Sequence, residues 1–217
     1  MASSVSDDFW LFGYGLGEIE QMRTSVLRVE IFSSEDHRGT PQSPGRVVTL
    51  IQRSFWETLR DPQRSTEGDR VWGVAYHIIP DKVAEVRDYL DIREINGYSI
   101  QYTPFHPADQ SHPDIKCLVY IGMPDNPQFL GPLTPEDIAQ TINLSIGPSG
   151  ENREYLLHLQ DALGALSTHS HDEHIADLAR RVRAMEPPSR LNTPLPTDNI
   201  LKKINSTEEQ EEIEKDE

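Results

Sequence analysis

The chain has 217 residues, enough to bury one sizeable core, so a single domain is expected. Acidic residues outnumber basic ones 36 to 20, a formal net charge of -16. That balance disfavours nucleic acid and anionic membrane surfaces, because neutralising phosphates needs clustered Lys and Arg. Residues 1–8 are polar and acidic and lack the basic-then-apolar order of a secretory leader, and no apolar run is long enough to span a bilayer. The single cysteine, Cys117, cannot form an internal disulfide, so the chain reads as cytosolic.

Residues 9–14 are a short apolar and aromatic run closed by Gly13 and Gly15, which predicts a strand entering a tight turn. Residues 26–32 alternate, with Leu27, Val29 and Ile31 on one face and Arg28 and Glu30 on the other, the period of a strand. Residues 46–52 and 71–79 are β-branched runs bounded by Pro, Gly and charged residues, and 98–102 and 115–121 complete the predicted strands. Between them, 81–91 follows Pro80 and carries Val83, Val86 and Leu90 on one stripe, a helix. Thr134-Pro135-Glu136-Asp137 offers an N-cap, a proline at the first helical position and early acids. Residues 151–166 place Tyr155, Leu159, Leu163 and Leu166 at helical spacing, and 172–185 do the same with Ile175, Leu178, Val182 and Met185. After Met185, four prolines interrupt the chain and 207–217 is nearly all Glu, Asp and Gln. The expectation is a domain over 9–186 and a disordered acidic tail over 187–217. Strands first and helices late give an α+β class, with a small mixed β-barrel as the expected packing.

The strongest candidate for chemistry is Glu94, in Asp91-Ile92-Arg93-Glu94-Ile95-Asn96-Gly97-Tyr98, where a helix should end and Asn96-Gly97 signals a turn. A carboxylate at the mouth of a barrel would be desolvated and raised towards a useful base; the plainer alternative is a solvated Glu paired with Arg93 or Arg87. Gly13-Tyr14-Gly15 can form a turn whose amide N–H groups converge on an anion, or be a turn and nothing more. The segment 33–41, with Ser34, Asp36, His37 and Arg38, is dense in polar groups, as functional loops are and as merely well-bonded loops are. No nucleophile elbow accompanies His37, which argues against a hydrolytic triad. His169, His171 and His174, beside Asp172 and Glu173, match no zinc spacing and read as a solvated loop. Cys117, inside an apolar strand, reads as core, and Trp10, Phe12, Trp72 and Tyr76 read as core or pocket lining.

Taken in order, Phe12-Gly13-Tyr14-Gly15, residues 34–41, residues 44–50, Tyr89-Leu90-Asp91-Ile92-Arg93-Glu94, Asn96-Gly97-Tyr98, Val119-Tyr120-Ile121-Gly122 and Gly147-Pro148-Ser149-Gly150 with Asn152 and Glu154-Tyr155-Leu156 resemble the ChaC-type glutathione-specific γ-glutamylcyclotransferases. The resemblance implies a γ-glutamylcyclotransferase-like barrel with surrounding helices, and one reaction. The α-amine of glutathione's glutamyl group attacks its own γ-carbonyl, giving 5-oxoproline and cysteinylglycine, without metal or organic cofactor. It further implies Glu94 as catalytic base and Gly13, Tyr14, Gly15, Leu16 and Tyr98 as substrate-binding residues. The family turn reads Tyr-Gly-Ser-Leu, whereas here Leu16 stands in the place of its Ser, and the connection onward to Ser33 is shorter. Two further readings stand beside the enzyme: a non-catalytic relative that binds γ-glutamyl compounds or a protein partner, favoured by Leu16, and a cyclotransferase for other γ-glutamyl amines.

Overall fold

The structure, a computed structural model, describes residues 8–14, 21–24, 27–59, 71–94 and 98–185, the side chains of 21–24, 27, 28, 30 and 89–94 excepted. The expected tail over 187–217, and the positions of Gly15 and Leu16, lie outside the described residues. The strands are β1 (Phe9–Tyr14), β2 (Gln21–Thr24), β3 (Leu27–Ser34), β4 (Gly45–Gln52), β5 (Val71–Ile78), β6 (Tyr98–Pro107), β7 (Ile115–Gly122), β8 (Ile146–Gly147) and β9 (Gly150–Glu151). The α-helices are α1 (Arg53–Trp56), α2 (Val83–Glu94), α3 (Pro135–Leu144), α4 (Asn152–Leu166) and α5 (Glu173–Ala184). The class is mixed α+β.

Pairing runs β1-β5-β2-β6-β7 and returns to β1 through a parallel pairing at Trp10↔Cys117 and Leu11↔Leu118, so these strands close on themselves. The remaining predicted strands do not join that ring. β3 and β4 form their own two-stranded sheet, with Ile31 opposite Val48 and Phe32 opposite Val47. Between β5 and β6 stands β2, which the sequence reading had not assigned. Gln21, Met22, Arg23 and Thr24 are too few and too polar to show a period of two; tertiary pairing makes the strand. β2 therefore provides a ring strand inside the shortened connection that follows Leu16.

β6 also runs past its predicted end, through Pro104 opposite Lys116 to Pro107. A strand position where the missing donor is tolerable can hold a proline. In β3, both Ile31 and Phe32 are buried, which breaks the expected alternation. The hairpin is covered on both sides: Ile31 joins the helical core, while Phe32 packs 5.4 Å from the Phe129 ring.

Period-two burial divides β7 between two cores. Cys117, Val119 and Ile121 meet Phe12, Ala75 and Phe105 inside the closed sheet, with Phe12 and Phe105 stacked at 4.1 Å. Leu118 points the other way, with Phe9, onto Val83 and Val86 of α2. The third core lies where Trp72 and Val74 of β5 meet the apolar stripes of α3, α4 and α5. The predicted caps are present: the Thr134 hydroxyl accepts from the Asp137 amide at 3.2 Å, with Pro135 at the first turn of α3. On α4 the buried stripe is Leu156, Leu159, Leu163 and Leu166. Tyr155 sits at its margin, because a phenol needs a polar partner that the leucine stripe lacks. No helix among the described residues is long and apolar enough to cross a membrane.

Candidate active site

β1 ends at Gly13 and Tyr14, and the Tyr14 side chain reaches across to the start of α5. Its hydroxyl donates to Asp172 Oδ2 at 2.9 Å. Asp172 is also the N-cap of α5, its Oδ1 accepting from the Ile175 amide at 3.0 Å. One carboxylate thus serves two donors, one on each oxygen. Burial, the Asp172 charge and the hydrogen bond to it, and then Tyr155, hold the Tyr14 phenol well above its ordinary value.

Tyr155, in the first turn of α4, accepts from the Val48 amide of β4 at 3.2 Å. Burial raises its phenol as well, against the Val48 hydrogen bond and the Arg38 charge, which pull it down, and Tyr98, which adds to the rise. Tyr155 is therefore linked electrostatically to both Tyr14 and Tyr98. Tyr98 opens β6, and its hydroxyl makes long contacts with Gln128 Oε1 at 3.4 Å and Thr49 Oγ1 at 3.5 Å.

The polar loop between β3 and β4 closes over this group. The Arg38 guanidinium lies 5.4 Å from the Tyr155 ring centroid, and its Nη1 donates to the Glu151 carbonyl at 3.4 Å. The Arg38 amide donates to Ser34 Oγ at 3.1 Å. Asn152, fully buried at the start of α4, holds the entry to β4 as a neighbouring strand would: Oδ1 accepts from the Arg46 amide at 2.6 Å and Nδ2 donates to the Arg46 carbonyl at 2.7 Å. The β8–β9 turn packs on the same loop. The Ser149 amide donates to the His37 carbonyl at 2.9 Å, and a Cβ on Gly147 would overlap that carbonyl and the Gly39 nitrogen. Gly150, at φ +105°, holds a backbone conformation that a side chain would strain.

Of the residues singled out from sequence, Tyr14 and Tyr98 are both linked electrostatically to Tyr155. Gly13 is the residue before Tyr14 on β1. Glu94 is the last residue of α2, so the expected helix end is observed, and its side chain lies outside the described set. Arg87, one partner weighed for Glu94, sits with its guanidinium 5.0 Å from the Phe9 ring centroid.

His169 and His171 are exposed, as a solvated loop would leave them, while the Asp172 carboxylate beside them is bound to Tyr14 and caps α5. Its cap role was legible, since Asp172 precedes a helical stripe that begins at Ile175; its contact with β1 carries no local signal. Tyr155 had been assigned to the core stripe, and its polar surroundings appear only once β4 is packed beside it. Among the described residues no group of three or more His, Cys, Asp and Glu is arranged to hold a metal ion. Cys117 is fully buried in β7, as a core thiol should be.

The model of the ChaC-like protein family matches residues 9–185. The chain is 35% identical to the glutathione-specific γ-glutamylcyclotransferase of Schizosaccharomyces pombe, covering 83% of this chain and 95% of that one. It is 33% identical to human glutathione-specific γ-glutamylcyclotransferase 1, covering 82% and 80% respectively. Among solved structures it resembles a γ-glutamyl cyclotransferase specific to glutathione from yeast, with a TM-score of 0.70 and 28% identity over 81% of this chain and 96% of that one. With a family match over nearly all the described residues, and relatives of this identity along most of their own length, the chain belongs to the ChaC-like family.

Proposed function

We propose that this chain is a glutathione-specific γ-glutamylcyclotransferase. The observation that carries the reading is the match over 9–185, together with relatives in yeasts and human that share this one specificity. The reaction is a carbon–nitrogen bond cleavage without water. The α-amine of the glutamyl group attacks its own γ-carbonyl, a new C–N bond closes the five-membered ring, and the old amide C–N bond breaks. The proton lost by the ammonium ends on the departing nitrogen of cysteinylglycine.

Because amine and carbonyl belong to one molecule, the substrate itself removes much of the entropic barrier. The protein has to fold the glutamyl chain, accept a proton and return it. The phenols of Tyr14 and Tyr155 are both raised above the ordinary tyrosine value, so near neutral pH they stay protonated and bind rather than abstract. The family resemblance assigns the proton transfer to a carboxylate, Glu94, just ahead of Tyr98 in the chain. The amides following Tyr14 are suited to the developing oxyanion or the α-carboxylate.

Glu94→Gln tests the assignment. An amide of nearly the same shape cannot accept the ammonium proton, so kcat should fall at least about 10²-fold while glutathione binding and melting temperature stay close to the parent's. A variant that keeps more than about a tenth of the parent kcat would assign the proton transfer to another group.

A further inference from the structure

Tyr14 and Tyr155 are half-buried phenols packed against the same helical core, and their hydrogen bonds run in opposite senses. Tyr14 gives its hydrogen to Asp172, so its oxygen has only lone pairs to offer a ligand. Tyr155 accepts from the Val48 amide, and its own hydrogen has no acceptor among the described residues. One phenol is held as an acceptor and the other is left as a donor. The α-amino-acid end of a γ-glutamyl substrate carries the complementary groups, an ammonium that only donates and a carboxylate that only accepts.

We propose that Asp172, on α5 and outside the segments that carry the family resemblance, is a positioning residue that fixes Tyr14 as a hydrogen-bond acceptor for the substrate's α-amine. The inference rests on the cyclotransferase reading. The carboxylate is well placed for the task because its other oxygen is tied to the Ile175 amide at 3.0 Å, which sets the orientation of the pair. A phenol without Asp172 would lose the partner that fixes its hydrogen, so its lone pairs would no longer be aimed in advance at the ammonium. The link also gives α5 a part in the site although its buried residues serve the helical core.

Asn is the informative replacement. It caps a helix about as well as Asp, so α5 should form unchanged. Capping takes the amide oxygen to the Ile175 N–H, which leaves the NH₂ facing Tyr14. The phenol then accepts from Asn, which occupies one of its lone pairs and releases its hydrogen, so its acceptor capacity towards the substrate falls while the fold is kept.

The test is a double-mutant cycle on purified protein with glutathione, reading 5-oxoproline release. Asp172→Asn should lower kcat/KM at least about tenfold, the scale of one hydrogen bond to a charged group. The melting temperature should stay close to that of the parent. In a Tyr14→Phe background the same change should alter kcat/KM by less than about twofold, since there is no hydroxyl left to orient. Should Asp172→Asn melt below the assay temperature, Asp172→Ser, which caps α5 without reaching Tyr14, should also lose activity only when the Tyr14 hydroxyl is present. An Asp172→Asn protein as active as its parent overturns the proposal. So does an equal loss in both backgrounds, which would make Asp172 a structural cap and no more. A parent that releases no 5-oxoproline overturns the cyclotransferase reading itself, and this inference with it.

Discussion

At the scale of single residues, Tyr14 shows how protonation couples to folding. Its hydroxyl hydrogen is bound by Asp172 only while it is present, and burial penalises the phenolate. The folded value therefore lies above that of an unfolded tyrosine, about 10. A group with a raised value contributes stability that is complete below the unfolded value and is lost as pH rises through the folded one, because the unfolded chain gives up its proton first. Melting temperature should therefore decline above about pH 10. The decline should be shallower in Tyr14→Phe, which has no proton to lose there. Parallel melting-temperature profiles for the two proteins between about pH 8 and 11 would show that Tyr14 carries no such linkage. Tyr14 was marked in the sequence by the family resemblance, its place between Gly13 and Gly15 being equally that of a plain turn. Its partner Asp172 was not, because nothing near Asp172 in the chain reports what β1 brings to it.

At the scale of elements, sequence and structure agree wherever local chemistry decides the outcome. Thr134 and Pro135 begin α3, and the apolar run of 9–14 becomes β1. They diverge where distant residues decide. β2 forms because β5 and β6 offer it edges, β6 carries Pro104 because β7 holds it in register, and Tyr155 leaves the leucine stripe to meet Val48. The β8–β9 turn belongs to this second kind, for it exists against the loop from Ser34 to Gly45. Gly147 lies so close to the His37 carbonyl and the Gly39 nitrogen that a methyl group there displaces backbone, not a flexible side chain. Gly147→Ala should therefore cost about 1–3 kcal/mol in denaturant unfolding, as overpacking does, and lower activity with it because Arg38 rides on the displaced loop. An unchanged unfolding midpoint would mean that the loop shifts freely and does not brace the site.

At the scale of the whole molecule, the closed sheet and the α3–α4–α5 layer give the site two rigid walls, with Tyr14 reaching from the first to the second. The third side is the β3–β4 hairpin, whose loop carries Arg38 and whose β4 amide at Val48 engages Tyr155. Tyr14 and Tyr155 stay protonated near neutral pH, and in the proposed mechanism the proton-accepting task falls to Glu94, the last residue of α2. The central claim is that the substrate's own amine is the nucleophile. Its most direct test is product analysis with the purified full-length chain, comparing glutathione with glutathione acetylated on its α-amine. The account predicts equal amounts of 5-oxoproline and cysteinylglycine from glutathione and neither from the acetylated compound. Release of free glutamate in place of 5-oxoproline, or cleavage of the acetylated substrate at a similar rate, would contradict it.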